Sequence, residues 1–281
     1  FIGSIDNVSC KLAEQDYSNT ANGLQVFGTV TKTAVATGAE LVAYSGFSSS
    51  NYLQHTVSTS YGSPAVFSFM GWQKTSNTSN YQYMGSLIDG TSQVVLGMSI
   101  NATGNTSVGK PYFYDSVNSS LDATIRVDDG QWHFMVGVID GTSKKLYIDG
   151  KLNASATVTA LAMTNVTKTQ VGFYKSYTSS TRQYFHLGGI ALIRTSATAP
   201  TAEQIAKMYN DEKHLFQENA KATLYGTSDA VTALAYDDDT ELLHAGTSAG
   251  RSVFQGLRRV DNTTDAVGAA ISASNDLVVE E

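Results

Sequence analysis

Apolar and polar residues alternate in short runs over the first two hundred positions, and each run ends in turn chemistry. This pattern predicts strands over 25–30, 40–44, 52–57, 65–73, 81–88, 93–100, 111–114, 123–127, 132–140, 144–149, 170–174 and 185–194. The spacing is close to the about 8–12 residues that separate strands in an all-β sandwich or barrel. Four Asp-Gly pairs, Asp89-Gly90, Asp129-Gly130, Asp140-Gly141 and Asp149-Gly150, stand at hairpin intervals. Asp-Gly tolerates the positive φ of tight hairpin turns, so antiparallel pairing is expected. Over 132–139, Phe134, Val136 and Val138 share one face while His133, Met135 and Gly137 share the other. Two sheets that each bury one face make a sandwich.

One segment has a helical period. Thr201 followed by Gln204 forms a capping box, and Ile205, Met208, Tyr209, Leu215 and Phe216 recur at helical spacing. A helix is predicted over about 202–215, lying on the sandwich. Beyond Phe216, three short strands are predicted over 231–236, 241–245 and 251–257, with a final strand through 270–274 or 276–280. Asp237-Asp238-Asp239 reads as a solvated turn and Gly246-Thr247-Ser248-Ala249-Gly250 as a plain one. Such a meander buries too little to be secure alone. It is expected to pack on the sandwich, on sister chains or on further sequence.

Composition narrows the functional classes. Charged residues make up 15% of the chain, against about 25% in an average globular protein. The net charge of −7 argues against nucleic acid, whose phosphates call for surplus Lys and Arg. It argues equally against an anionic membrane surface. The apolar runs are far shorter than the about 20 residues that cross a bilayer, so no membrane insertion is expected. The first residues show no basic stretch leading into an apolar one, so no signal peptide is read there. Without an initiator Met, the chain is expected to be a processed product or a piece of something longer. The lone Cys10 precludes an intrachain disulfide and reads as a small apolar residue. Eight Asn-x-Ser/Thr sequons occur, a number expected by chance in a chain so rich in Ser, Thr and Asn.

The stretch Asp129-Gly130-Gln131-Trp132-His133, then alternating apolar residues, Asp140-Gly141 and Leu146-Tyr147-Ile148-Asp149-Gly150, closely resembles the signature of laminin-G-like, concanavalin-A-like jelly rolls. Phe67-Ser68-Phe69-Met70-Gly71-Trp72 is similar to that family's early core strand, and Asp16-Tyr17-Ser18-Asn19 to a degenerate form of its first motif. Gly188 to Arg194 is similar to its last strand, and Thr201 to Ile205 to the helix that follows. The resemblance covers about residues 10–213. It implies an all-β, antiparallel jelly-roll sandwich with one peripheral helix and a small C-terminal β-meander. The expected domains are 1–216, the jelly roll with its terminal helix, and 217–281, the meander, as a packing or oligomerisation segment.

Many members of that family bind calcium through acidic residues in early loops and in the last strand. Here 45–51 and 189–192 hold no carboxylate. Calcium takes several hard oxygens, carboxylates usually among them, so no metal and no other cofactor is expected. Glucanase relatives carry paired carboxylates on one strand. The nearest match, Glu14-Gln15-Asp16, has Asn19 where the second Glu belongs, so no enzyme activity is expected.

The tail from Ala230 to Gly250 is similar to one repeat of sensor-type β-propellers, and one copy closes no propeller. A tail of this kind beside a laminin-G-like module is also similar to phage tail-fibre and virion attachment proteins. The implied function is a non-enzymatic binding module of a virion, or otherwise extracellular, recognising a host-surface glycan. Weak sites would gain strength through multivalency in a homo-oligomer, a trimer being favoured, alongside other virion proteins. The alternatives are a structural capsid or tail decoration protein and an accessory binding module of a larger secreted protein. The expected contact residues are Tyr174, Tyr177, Arg182, Gln183 and Tyr184, because Tyr and adaptable polar residues recur in binding loops. A second candidate is Asn51-Tyr52 beside Ser48, Ser49 and Ser50.

Overall fold

The computed structural model describes residues 23–280 apart from 60, 92–93, 103, 105, 176–180 and 229. Tyr177, Cys10 and the early motif at Asp16 to Asn19 lie outside the described residues. The described residues divide into two compact units: 23–32 with 44–202, and 33–43 with 203–280.

The strands up to residue 202 are, in chain order, β1 (Gln25–Phe27), β2 (Thr31–Ala34), β3 (Val42–Ser45), β4 (Tyr52–Thr59), β5 (Val66–Lys74), β6 (Gln82–Asp89), β7 (Val94–Ile100), β8 (Pro111–Asp115), β9 (Ser119–Asp122), β10 (Trp132–Asp140), β11 (Ser143–Ile148), β12 (Lys151–Thr157), β13 (Val166–Val171), β14 (Tyr174–Lys175), β15 (Arg182–Gln183) and β16 (Gly189–Ser196). They form two seven-stranded sheets and a short hairpin. The first sheet runs β1-β4-β13-β6-β7-β8-β9 and the second β12-β11-β10-β5-β16-β3-β2. The result is an antiparallel sandwich.

Its core is built by alternation. Leu53, Val171, Gly85, Met98, Phe113 and Leu121 stand side by side across the first sheet and face inward. Phe67, Phe69, Met135, Ile139, Leu146 and Ile148 meet them from the second. Close approach of the sheets requires glycine at two contacts. A Cβ on Gly137 would lie 2.6 Å from the Phe113 ring, and one on Gly85 would lie 2.5 Å from that of Phe69.

The Asp-Gly motif has a visible purpose. Asp149 has a φ of +50° and accepts the Phe134 backbone N–H at 2.9 Å, closing the turn onto β10. Its other carboxylate oxygen lies 2.8 Å from His133 Nδ1, and Asp129 lies 3.1 Å from Nε2.

Three differences from the sequence reading have physical causes. Residues 123–127 are not a strand; the strand is β9, just before them. Ala123 and Val127 are buried, and their N–H groups bond Pro111 and Gly109, so their spacing reflects a loop tucked against the core. The segment predicted at 170–174 begins earlier, as β13, and stops at Gly172, whose φ of +85° breaks the strand. Strand β12 is absent from the sequence reading because its alternating apolar residues, Leu152, Ala154 and Ala156, are two small alanines and one exposed leucine, and none of its residues is buried.

The second unit holds helix α1 (Ala202–Glu212), a 3₁₀ turn over Lys213–Phe216, and strands β17 (Val231–Asp237), β18 (Leu242–Thr247), β19 (Gly250–Gln255) and β20 (Arg258–Asn262), paired in that order. The sheet thus has four strands rather than three, and the two alternative final strands both form, as the hairpin β21 (Ile271–Ser274) and β22 (Leu277–Glu280). Asp211 and His214 lie beside Gly256 of the β19–β20 turn, so α1 packs within this unit, and the sequence boundary at 216 falls inside it. Residues 33–43 join it as Glu40 accepts N–H bonds from Ala222 and Thr223. Asp237 is buried rather than solvated. It accepts N–H bonds from Asp276 (2.9 Å), Asp239 (3.0 Å) and Asn275 (3.2 Å), which anchor the final hairpin. Those bonds, the one from Asp276 foremost, hold its carboxyl down at about 2.

Candidate functional site

The face of the first sheet turned away from the core carries a different chemistry. Tyr83, Ser99, Tyr112 and Asp122 form one cross-strand row over β6, β7, β8 and β9. The adjacent row is Gln54, Gln170, Ser86, Gly97, Tyr114 and Ser120. Each row is set by the same period-two alternation that sends Met98 and Phe113 into the core.

Six tyrosines gather here. The Tyr112 hydroxyl donates to the Tyr83 hydroxyl at 3.2 Å. Tyr81 meets Tyr112 edge-on with ring centres 6.2 Å apart, and Tyr184 likewise at 5.5 Å. Tyr174 packs on Tyr83 at 4.9 Å and on Tyr184 at 5.7 Å. Tyr114 completes the group from the next turn of β8. Glycine makes the packing feasible: a Cβ on Gly97 would lie 2.9 Å from the Tyr83 ring. Edge-to-face and tilted pairs of this kind hold rings rigidly, with hydroxyls at defined positions.

The cluster borders an open cavity of about 350 Å³, lined by Tyr81, Tyr83, Asn101, Tyr112, Tyr114, Ser119, Ser120 and Asp122. Burial, reinforced by Tyr112, pushes the Tyr83 hydroxyl above the ordinary phenol range, and burial raises Tyr112 as well. Both stay protonated, the Tyr112 proton being given to the Tyr83 oxygen. Asp122, exposed at the rim, is the only charged side chain in the lining among the described residues. The arrangement suits a small polar molecule with flat apolar faces and many hydroxyls.

The residues expected from sequence divide between two places. Tyr174 and Tyr184 join the tyrosine cluster. Arg182 does not. Its guanidinium lies 3.8 Å over the Tyr52 ring, with Nη2 donating to the Tyr52 hydroxyl at 2.7 Å and Nη1 to the Ser49 carbonyl at 3.1 Å. Tyr52 stacks in turn on Phe27, ring centres 4.4 Å apart. Arg182 therefore joins the two candidate stretches to each other. Gln183 makes a local bond from its amide nitrogen to Thr181 Oγ1, at 3.2 Å. Tyr177 is outside the described residues.

Tyr81, Tyr83, Tyr112 and Tyr114 were missed by the sequence reading. Their signal was the repeated Tyr-x-Tyr on consecutive alternate positions, which places both rings of each pair on one face of a strand. In the loop at 45–51, polar atoms serve the turn itself: Ser48 Oγ accepts the Asn51 N–H, and Asn51 Oδ1 accepts that of Thr29. Among the described residues, no group of three or more His, Cys, Asp or Glu side chains is placed to hold a metal.

Residues 47–206 match the model of the family described as the concanavalin A-like lectin/glucanases superfamily. No curated protein sequence matches the chain. Among solved structures, the binding domain of botulinum neurotoxin serotype D is similar, with a TM-score of 0.51, 13% identity, and coverage of 89% of this chain and 62% of that one. The binding domain of botulinum neurotoxin DC in complex with SialylT gives 0.50 and 13%, covering 90% and 61%. Trypanosoma rangeli sialidase in complex with the inhibitor DANA gives 0.51 and 7%, covering 69% and 31%. The chain spans less than two thirds of the length of each of these structures, and at such identities the likeness is one of fold.

Proposed function

The chain belongs to the concanavalin A-like lectin/glucanases superfamily, and on that basis we propose that it is a non-catalytic saccharide-binding module whose ligand occupies the tyrosine-lined cavity. The observation that carries this reading is an open cavity on the outer sheet face lined by four tyrosines, Tyr81, Tyr83, Tyr112 and Tyr114, with Tyr174 and Tyr184 packed against their rings. Rigid aromatic faces provide contact area at low entropic cost, and phenol and serine hydroxyls provide hydrogen bonds of either sense. The cavity lining holds a single carboxylate, Asp122, whereas glycoside cleavage usually employs a pair.

In this reading the module serves on a virion or in another extracellular setting, attaching it to a host-surface glycan. The resemblance of such a tail beside a laminin-G-like module to virion attachment proteins supports that role. Exposed apolar residues of the second unit support a homo-oligomer, with a trimer favoured. Leu234, Tyr236, Leu277 and Val279 are each more than half exposed, at 62%, 55%, 74% and 63%. Such residues invite burial against other chains.

The test is binding of the purified chain to a panel of bacterial surface polysaccharides, with and without EDTA, alongside its oligomeric state by light scattering. Saturable binding, insensitive to EDTA and lost in Tyr114→Ala/Tyr184→Ala, is the expected result. An assembled oligomer that binds none of them would favour a structural decoration protein instead.

A further inference from the structure

The charge of the cavity bears on which saccharides it accepts. Among the described residues its lining holds four tyrosines, Asn101, two serines and Asp122, with no Lys, Arg or His. One N–H of the Asn101 side-chain amide is given to the Lys110 carbonyl at 3.1 Å. Lys144, which feels the Asp122 charge, is buried in the core between the sheets. Its side chain is 1% exposed, and its Nζ bonds Asp115 and the Ser119 carbonyl. Arg182, the cation expected at the site from sequence, is held on Tyr52 and Ser49. The cavity therefore offers hydroxyls, one neutral amide and one carboxylate, in a chain of net charge −7.

A carboxylate at a cavity rim accepts hydrogen bonds from neighbouring hydroxyls of a neutral sugar, and such charge-assisted bonds are stronger than neutral ones. The same group repels a bound carboxylate, and nothing in the lining offsets that repulsion. We propose that the cavity selects uncharged, hydroxyl-rich saccharides and discriminates against carboxylated ones, with Asp122 as the selecting residue. This rests on the reading of the cavity as a saccharide site.

The experiment uses the full chain and matched probes that differ in one group: N-acetyllactosamine against its sialylated form, and a glucose-terminated oligosaccharide against its glucuronate counterpart. The neutral member of each pair should bind about tenfold more tightly at low salt, a difference of about 1.4 kcal/mol. The gap should shrink as ionic strength rises, since the rim is open to solvent. Asp122→Asn should reduce the gap to about threefold or less, and Asp122→Lys should reverse it. Asp122 is exposed at a sheet edge, so both variants should fold.

Equal or tighter binding of the carboxylated members by the unaltered protein overturns the selectivity and leaves saccharide binding standing. A gap untouched by Asp122→Asn removes Asp122 from the selecting role. Binding to neither member of any pair overturns the saccharide reading and this proposal with it.

Discussion

The hydroxyls of Tyr83 and Tyr112 lie 3.2 Å apart across the strand that separates them, with Ser99 in register between the two residues. This bond fixes the floor of the cavity. Burial raises both phenols, so in the folded protein they should stay protonated at pH values near 10, where exposed tyrosines ionise. Their contribution to stability is full below about pH 10 and declines above it, because only the unfolded chain then releases these protons. An absorbance titration of the fifteen tyrosines should show the exposed ones ionising first and these two only on unfolding. Tyr83→Phe removes the acceptor and should cost about 1 kcal/mol in denaturant unfolding.

Arg182 touches Tyr52 and Ser49 rather than the cavity, so its effect on ligand should be indirect. Arg182→Ala should raise hydrogen exchange around β14 and β15 and weaken saccharide binding by about threefold, less than Tyr184→Ala does. Arg182→Lys keeps the charge but loses the planar stack, and should fall between them and the native protein. An affinity loss larger than that of Tyr184→Ala would place Arg182 against the ligand.

His133 has a carboxylate on each ring nitrogen. Burial alone would lower its pKa, but Asp149 and Asp129 outweigh burial and raise it above 6.5. The clamp therefore stabilises fully below about pH 6.5 and is lost as pH rises through the raised folded value. Asp149→Asn keeps an acceptor for the Phe134 N–H while removing the charge. It should shift the His133 titration downward in NMR and flatten the fall in melting temperature between neutral and alkaline pH.

Lys144 of β11 and Asp115 of β8 tie the two sheets through the core, 2.5 Å apart and 1% and 0% exposed. Lys144→Met strands the carboxylate and should cost about 3–5 kcal/mol. Lys144→Met/Asp115→Asn should recover most of this, because the amide oxygen can still accept the N–H groups of Val117 and Asn118. Thermal melts should separate the single from the double variant.

How much of this could be read beforehand depended on the range of each interaction. The motif Asp129-Gly130-Gln131-Trp132-His133 and the later Asp149-Gly150 marked β10, its turns and a structural histidine, because a hairpin is built from neighbours in sequence. The alternation over 132–139 marked the strand but not which face meets the other sheet: Met135 and Ile139 enter that core, while Phe134, Val136 and Val138 are buried on the opposite face. By contrast, β12 and β20 bury no residue of their own and exist by pairing with β11 and β19.

The candidate site divides in the same way. Tyr174 and Tyr184 were legible as the aromatic ends of a polar loop. Tyr83 and Tyr112, twenty-nine positions apart, meet only because β6, β7 and β8 stack in register. Arg182 left the expected site because Tyr52, 130 positions earlier, offers its guanidinium a ring face and a hydroxyl at once. Sequence alone determined the strand chemistry, the turns and the class of fold, since these follow from local conformation and burial pattern. Only the tertiary structure decided which tyrosines share a cavity and which charge stands at its rim, since strand order and register bring distant residues to one face.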